Sequence, residues 1–199
     1  MGASRWREVK GVDRSALREA RLQAHYGVQW LARAARAYAT PGPDDHHTNL
    51  GWDDGIAGLT THVLARDIVL GLNISDLTLI LWDAPATAGS HTSGLAGRRD
   101  AEIRQWLGRQ LSAKGLDADA LDQPAPYQMP DHPIRAGAPY EAAGLAAALA
   151  ELVAWFANAN QALGEERRKD RQPCKQAAHG VGVYHLPLMP GLSGGRYPV

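Results

Sequence analysis

A long helix, predicted over residues 14–39, constrains the fold more than any other segment because it is apolar on two sides. Its first apolar stripe recurs at a period of 3.6 residues and contains Leu17, Ala24, Val28, Leu31, Ala35 and Tyr38. A second stripe of Leu22, Tyr26 and Trp30 lies nearly opposite. Soluble proteins rarely leave three large apolar side chains in a row exposed to water. We therefore expect both sides of this helix to be covered, by the rest of the chain or by a second subunit.

The side chains between the two stripes are mostly basic. They are Arg14, Arg18, Arg21, His25, Gln29 and Arg36. A charged stripe of this kind is typical of a solvated helix face. An anion-binding groove is the alternative, because the same guanidinium groups would attract a negatively charged ligand.

Two short apolar runs predict the β-structure of the chain. Residues 67–72 and 77–82 are rich in β-branched and large apolar side chains, and the polar residues 73–76 separate them. This arrangement is typical of a hairpin. The second run is too continuous to leave one face in water, so we expect helices to cover the sheet. The alternative is a mostly helical bundle in which residues 67–82 form a buried helix.

Two further helices complete the predicted fold. One runs over about residues 98–114, and the other begins near Pro139, which suits a first helical turn, and continues to about Glu166. Between them, residues 116–138 contain four prolines and are expected to be rigid and extended. The predicted fold class is α+β: three main helices packed with a short two-stranded sheet, as a single domain.

The predicted domain covers residues 1–171, and residues 172–199 form a tail rich in Gly and Pro. The tail has one short apolar cluster, which buries too little surface to offset its ordering entropy. We expect it to be poorly ordered and to contribute little to stability. The alternative is that Val181, Val183 and Tyr184 add an edge strand to the sheet.

The composition indicates a protein that acts in water. Hydrophobic residues make up 45% of the 199 residues, and the formal net charge is zero. Neither nucleic acid nor a membrane is therefore expected as a partner. The single cysteine, Cys174, excludes an internal disulfide, and no apolar signal segment follows the first residues. We predict a soluble, cytoplasmic protein.

A dense polar loop at residues 44–54 is the strongest candidate for a functional site. Two prolines and a glycine end the first helix just before it. The loop contains four carboxylates, two imidazoles, an amide and an indole within eleven residues. Loops at helix ends can present several polar groups at one point. The candidate ligand-binding residues here are Asp45, His46, His47, Asn49 and Trp52.

A divalent metal is one hypothesis for this loop. Imidazole and carboxylate groups bind zinc, iron and manganese, which makes Asp45 and His47 candidate ligands. Adjacent residues in an extended loop point to opposite sides, so further ligands would have to come from other histidines. The alternative is that Asp44 or Asp45 caps a turn while the histidines are ordinary surface groups.

The proline-rich connection offers the second half of a candidate pocket, through Tyr127 and His132. Ligand pockets combine aromatic walls with a few polar atoms. We therefore expect these two residues to lie close to the polar loop, with Trp52 as one wall. Packing at the edge of the core is the alternative interpretation.

Three segments, His-Thr-Asn-Leu-Gly-Trp at residues 47–52, Asp-Leu-Thr-Leu-Ile-Leu at 76–81 and Pro-Asp-His-Pro-Ile-Arg-Ala-Gly-Ala at 130–138, resemble an uncharacterised bacterial protein family. The resemblance covers about residues 20–165 and implies no activity and no catalytic residues. Members of that family continue with Cys-Trp-Pro-His-His-Phe-Asp and further sheet, whereas Lys-Gln-Ala-Ala follows Cys174 here. The comparison implies a C-terminal segment that is truncated or divergent beyond about residue 170.

The expected function divides into two classes. The first is a small-molecule or metal-binding protein with its site at the 44–54 loop. Whether it is an enzyme stays open, because Ser90 and His91 lack a Gly-x-Ser-x-Gly turn and Cys174 has no base beside it. The second class is a non-catalytic interaction or structural protein, which forms a homo-oligomer or binds another partner through the two-faced first helix.

Overall fold

The described part of the chain forms three α-helices and five β-strands. The computed structural model describes residues 6–85 and 89–170. The helices are α1 (Arg14–Tyr38), α2 (Asp100–Ala113) and α3 (Ala146–Asp170). The strands are β1 (Gly51–Asp53), β2 (Gly58–Thr60), β3 (Ile68–Asn73), β4 (Thr78–Asp83) and β5 (His91–Gly94).

The strands form one antiparallel sheet in the order β1-β2-β3-β4-β5, each paired with the next along the chain. The prediction of a two-stranded sheet is therefore wrong, and so is the alternative of a helical bundle, because residues 67–82 contain β3 and β4. The predicted hairpin is the centre of a larger sheet. The other three strands are three or four residues long and lack an apolar run. They become strands because the edges of the hairpin offer backbone hydrogen bonds.

One face of the sheet carries the core, and α1 lies against it. Leu72 of β3 pairs with Leu79 of β4, and both side chains are fully buried. The helix packs closely at Gly27, where an added Cβ would lie 3.0 Å from methyl carbons of both Leu72 and Leu95. The missing side chain at this glycine therefore sets the distance between helix and sheet.

The opposite side of α1 is covered by the proline-rich connection between α2 and α3. Leu22, Tyr26 and Trp30 keep only 7%, 6% and 2% of their surface exposed, which confirms the prediction that this stripe is covered. The hydroxyl of Tyr26 donates to the carbonyl of Pro130, and its ring lies 5.4 Å from that of His132. The cover comes from the same chain.

The last helix begins at Ala146, and the prediction of a start near Pro139 is wrong. Tyr140 pairs with the segment that follows β5: its carbonyl accepts the N–H of Gly97 at 2.7 Å, and its own N–H donates to Arg98 at 2.9 Å. This pairing forms a parallel bridge and holds the backbone extended. A tertiary contact thus overrides the local preference of the proline for a helical turn.

Apolar side chains from all three helices and from the sheet meet in one core cluster. Residues 172–199 lie outside the described residues, and so does Cys174. The poorly ordered tail, its alternative edge strand at Val181, Val183 and Tyr184, and the domain boundary at residue 171 therefore stay predictions.

The segment that precedes α1 is held against α3 by a buried carboxylate. Glu151 accepts the backbone N–H of Lys10 at 2.8 Å and that of Gly11 at 3.2 Å. The indole of Trp155 donates to the same carboxylate at 3.2 Å. These hydrogen bonds, above all that from Lys10, outweigh the effect of burial and lower the pKa of Glu151 below its ordinary value of 4.5.

We predict that Glu151→Gln lowers the Tm at neutral pH. Glutamine keeps one acceptor oxygen but turns an NH₂ group toward the second backbone N–H. Because the folded-state pKa is depressed, the stabilisation by Glu151 is complete above the unfolded pKa and is lost as the pH falls through the folded pKa. Thermal unfolding as a function of pH should show the difference between native protein and variant shrinking in acid. The control is Glu8→Gln at an exposed glutamate of the same segment, and an equal deficit in both variants would contradict the prediction.

We further predict that Gly58→Ala destabilises the sheet by about 3 kcal/mol or more, since overpacking usually costs about 1–3 kcal/mol and here the obstacle is backbone. An added Cβ at Gly58 would lie 2.0 Å from the carbonyl oxygen of Leu72, so β2 and β3 would have to separate. At Gly94 of β5 the nearest atom is 3.9 Å away, which makes Gly94→Ala the matched control. Urea unfolding of the two variants measures the difference, and equal stability would argue against the close strand pairing.

Candidate functional site

The polar loop at residues 44–54 folds back on itself. It begins with a 3-10 helix, Pro43–Thr48, in which Asp45 has a φ of 53°. His46 Nδ1 lies 2.7 Å from the carbonyl oxygen of Pro43, and the hydroxyl of Thr48 donates to the carbonyl of Asp45 at 2.8 Å. Much of the polarity that the sequence concentrates here therefore closes the turn.

The loop does not assemble a metal centre in the structure. His47 Nδ1 accepts the N–H of Gly42 at 3.3 Å, whereas Asp45 and Asn49 are exposed. Within residues 6–85 and 89–170, no group of three or more His, Cys, Asp or Glu side chains is arranged to hold a metal ion. Among the described residues, no further side chain therefore joins Asp45 and His47 to complete a metal site.

Trp52 connects three parts of the molecule. Its indole N–H donates to Asp54 at 3.0 Å, and Asp54 pairs with Arg7 of the N-terminal segment at 3.3 Å. The ring stacks on Phe156 of α3, with centroids 5.8 Å apart and planes at 12°. Trp52 therefore faces α3 and not the proline-rich connection.

Tyr127 and His132 lie along α1, away from the polar loop. The hydroxyl of Tyr127 donates to Gln29 Oε1 at 2.7 Å, and His132 Nε2 lies 2.9 Å from Glu19 Oε1. At a rise of about 1.5 Å per residue, Gln29 is about 13 Å and Glu19 about 28 Å along the axis from Tyr38, where α1 ends before the loop. The expected meeting of the two loops is not observed.

Both ring nitrogens of His132 are engaged within the fold. Its Nδ1 accepts the N–H of Ile134 at 3.3 Å, which leaves the proton on Nε2, facing Glu19. Burial alone would raise the pKa of Glu19, but the hydrogen bonds from Gln23 and His132 outweigh it and lower that pKa. The imidazole therefore acts as a structural group that ties the connection to α1.

A cavity of about 320 Å³ lies between α1, the start of α2 and the connection. We call it the polar cavity. Four of its residues lie on one face of α1, because they are spaced by three, four and seven residues: Tyr26, Gln29, Trp30 and Arg33. The remaining walls consist of Asp100, Ala125, Tyr127, Gln128, Met129 and Arg135. Of the seven residues singled out in the sequence, only Tyr127 lines this cavity.

Asp100, the first residue of α2, is a partly buried carboxyl group at this cavity. Burial raises its pKa above the ordinary value of 3.8. The hydroxyl of Tyr140 donates to it at 3.1 Å. This hydrogen bond, the charge of Arg33 and a hydrogen bond from Trp30 favour the ionised form, but they do not outweigh the burial. Perturbed carboxyl groups in clefts are typical of functional sites.

Two arginines make the polar cavity cationic. The guanidinium of Arg33 lies 4.5 Å from the ring centroid of Trp30. Among the described residues, that of Arg135 has two long contacts, 3.4 Å to the carbonyl of Met129 and 3.4 Å to Asp131. Counted over the lining residues alone, two guanidinium groups stand against one carboxyl group, while Asp131 beside the cavity partly offsets the charge of Arg135.

The sequence placed Gln29 in the polar stripe of α1 but did not single out four other polar residues of this region: Arg33, Asp100, Arg135 and Tyr140. A signal existed for Arg33, since it continues the face of Tyr26 and Trp30 at helical spacing. Nothing local marks Asp100 or Tyr140. Asp100 reaches the cavity through the tertiary packing of α2, and Tyr140 donates to it from the extended segment after the proline-rich connection.

No family model, curated protein or solved structure matches the chain. The resemblance to a bacterial family therefore stays a prediction from the sequence. In the part of the chain that the structure describes, no helix has both the length and the apolar character required to cross a membrane. The chemistry of the polar cavity therefore rests on the residues that line it.

We predict that Asp100→Asn raises the Tm at about pH 7, because asparagine keeps an acceptor for Tyr140 and removes a buried charge. The folded-state pKa of Asp100 is raised, so the cost of ionising it is absent below the unfolded pKa and grows as the pH rises toward the folded pKa. The gain should therefore vanish in acid, near pH 3.8 and below. Thermal unfolding between about pH 3 and pH 7 provides the measurement.

The matched control is Asp131→Asn, at a fully exposed carboxyl group on the proline-rich connection. It should show no comparable gain. If Asp100→Asn has a lower Tm than the native protein at neutral pH, the prediction is wrong. The negative charge of Asp100 would then stabilise the folded state.

Proposed function

We propose that the protein binds a small aromatic carboxylate in the polar cavity. This keeps the small-molecule class expected from the sequence but moves the site from the 44–54 loop to the region around Tyr26, Trp30 and Asp100. The observation that carries the proposal is the pair of guanidinium groups, Arg33 and Arg135, at a cavity with three aromatic residues.

The charge of the lining selects an anion. Arginine binds carboxylates through a planar fork of N–H donors, and in the described part of the chain the contacts of Arg135 are long. Asp100 would repel an anion only when ionised, and burial raises its pKa.

The aromatic side chains favour a planar ligand. Tyr26, Trp30 and Tyr127 line the cavity, and stacked or edge-on ring pairs contribute about 0.5–1.5 kcal/mol beyond burial. The volume of about 320 Å³ is at the lower end of the usual range for ligand pockets. It suits a compound with one ring rather than a dinucleotide.

The alternative function, an interaction protein that uses α1, has less support. Residues of the same chain cover the stripe of Leu22, Tyr26 and Trp30, and the opposite stripe packs on the sheet. The cytoplasmic location predicted from the sequence stays part of this proposal, and the single cysteine of the chain is consistent with a reducing compartment.

Titration with benzoate, followed through the Trp30 indole N–H signal by NMR, tests the proposal. We predict saturable binding with a Kd of about 1 mM or tighter and much weaker binding of uncharged benzyl alcohol. Arg33→Gln and Arg135→Gln should each weaken benzoate binding about tenfold or more, since a hydrogen bond between charged groups contributes about 1.5–3 kcal/mol.

The matched control is Arg18→Gln, at an exposed arginine of α1 that does not line the cavity. It should bind benzoate as the native protein does. Equal affinities for Arg135→Gln and Arg18→Gln, or no saturation by benzoate, would refute the proposed function.

A further inference from the structure

A second cavity, of about 230 Å³, lies on another side of α1. We call it the apolar cavity. From α1 it takes Arg21, Ala24, His25 and Val28, again at spacings of three, four and seven residues. Leu59 of β2, Ile74, and Leu152 and Phe156 of α3 complete the lining. Six of these eight residues are apolar, and none of the eight is acidic.

The walls of this cavity remain accessible. Val28 and Leu59 are half-buried, and Phe156 keeps 38% of its surface exposed. Phe156 is backed by Trp52, whose ring stacks on it at 5.8 Å. The indole of Trp52 is in turn fixed by its hydrogen bond to Asp54 at 3.0 Å. The aromatic residue that lines the cavity is therefore held in place by its stacking on Trp52.

The two polar lining residues, Arg21 and His25, lie one turn apart on α1, and both are exposed. They supply a guanidinium group and an imidazole beside an apolar recess. A ligand that satisfies this arrangement needs an aliphatic part for the recess and an anionic head for Arg21. The polar cavity does not suit such a ligand, since the walls of that cavity are aromatic and polar.

We propose that the apolar cavity is a second binding site, which takes the aliphatic chain of a small monocarboxylate whose head group lies against Arg21 and His25. This site is separate from the polar cavity and does not depend on the function proposed there. In this proposal Arg21 of the basic stripe of α1 binds a ligand. The sequence alone favours a solvated face for that stripe.

Titration with octanoate tests this proposal, with NMR signals of Val28, Leu59 and Leu152 methyl groups as the readout. We expect saturable binding confined to these residues. Hexanoate should bind about tenfold more weakly, because each buried methylene contributes about a fourfold change in affinity. Benzoate should leave the octanoate affinity unchanged, so the outcomes at the two cavities are distinguishable.

Arg21→Gln should weaken octanoate binding about fivefold or more and leave the binding of 1-octanol unchanged, because only the carboxylate uses the charge. Arg18→Gln, at the exposed arginine of the previous turn, is the matched control and should bind octanoate as the native protein does. Val28→Phe should fill the recess and abolish the binding of both ligands.

Equal octanoate affinities for Arg21→Gln and Arg18→Gln would overturn the proposal, and so would perturbations spread over other surfaces of the protein. Because Arg21 is exposed, its variant tests the head-group contact even if Val28→Phe fails to fold.

Discussion

The rest of the structure depends on the burial of α1 on two opposite sides. On one side Gly27 allows the helix to approach Leu72 and Leu95 within van der Waals contact. On the other side Tyr26 and Trp30 are too large and apolar to be left in water. The connection between α2 and α3 therefore runs along the helix, held by the hydrogen bonds from Tyr26 to Pro130 and from Tyr127 to Gln29. This course of the chain creates the wall of the polar cavity.

Both cavities take four residues from α1 at the same helical spacing, but they differ in what faces those residues. The polar cavity is closed by the connection, whose backbone and polar side chains suit a hydrogen-bonding ligand. The apolar cavity is closed by Leu59, Leu152 and Phe156 of the sheet and α3. One helix thus supports two sites of different chemistry, because a 3.6-residue repeat turns residues 21–28 and 26–33 toward different neighbours.

The sequence predicted the parts of the fold that rest on local pattern. The bounds of α1 and the strands β3 and β4 follow from apolar periodicity and β-branched content. The strands β1, β2 and β5 carry no such pattern, since Gly58 and Gly94 contribute no side chain at all. They exist through backbone pairing with the neighbouring strand. The start of α3 was misplaced for a related reason: the pairing of Tyr140 with the segment after β5 is stronger than the preference of Pro139.

For the candidate sites, the sequence by itself determined that the chain has an amphipathic helix with two apolar stripes and a polar stripe between them, and that Tyr127 lies in a proline-rich connection. Only the tertiary structure decided which polar groups meet. Asp100 joins Arg33 and Tyr140 because α2 begins beside α1, whereas the histidines of the 44–54 loop bond within their own turn. The physical reason is that periodicity fixes which face of one element is apolar, while a site requires several elements to converge, and that convergence is set by packing.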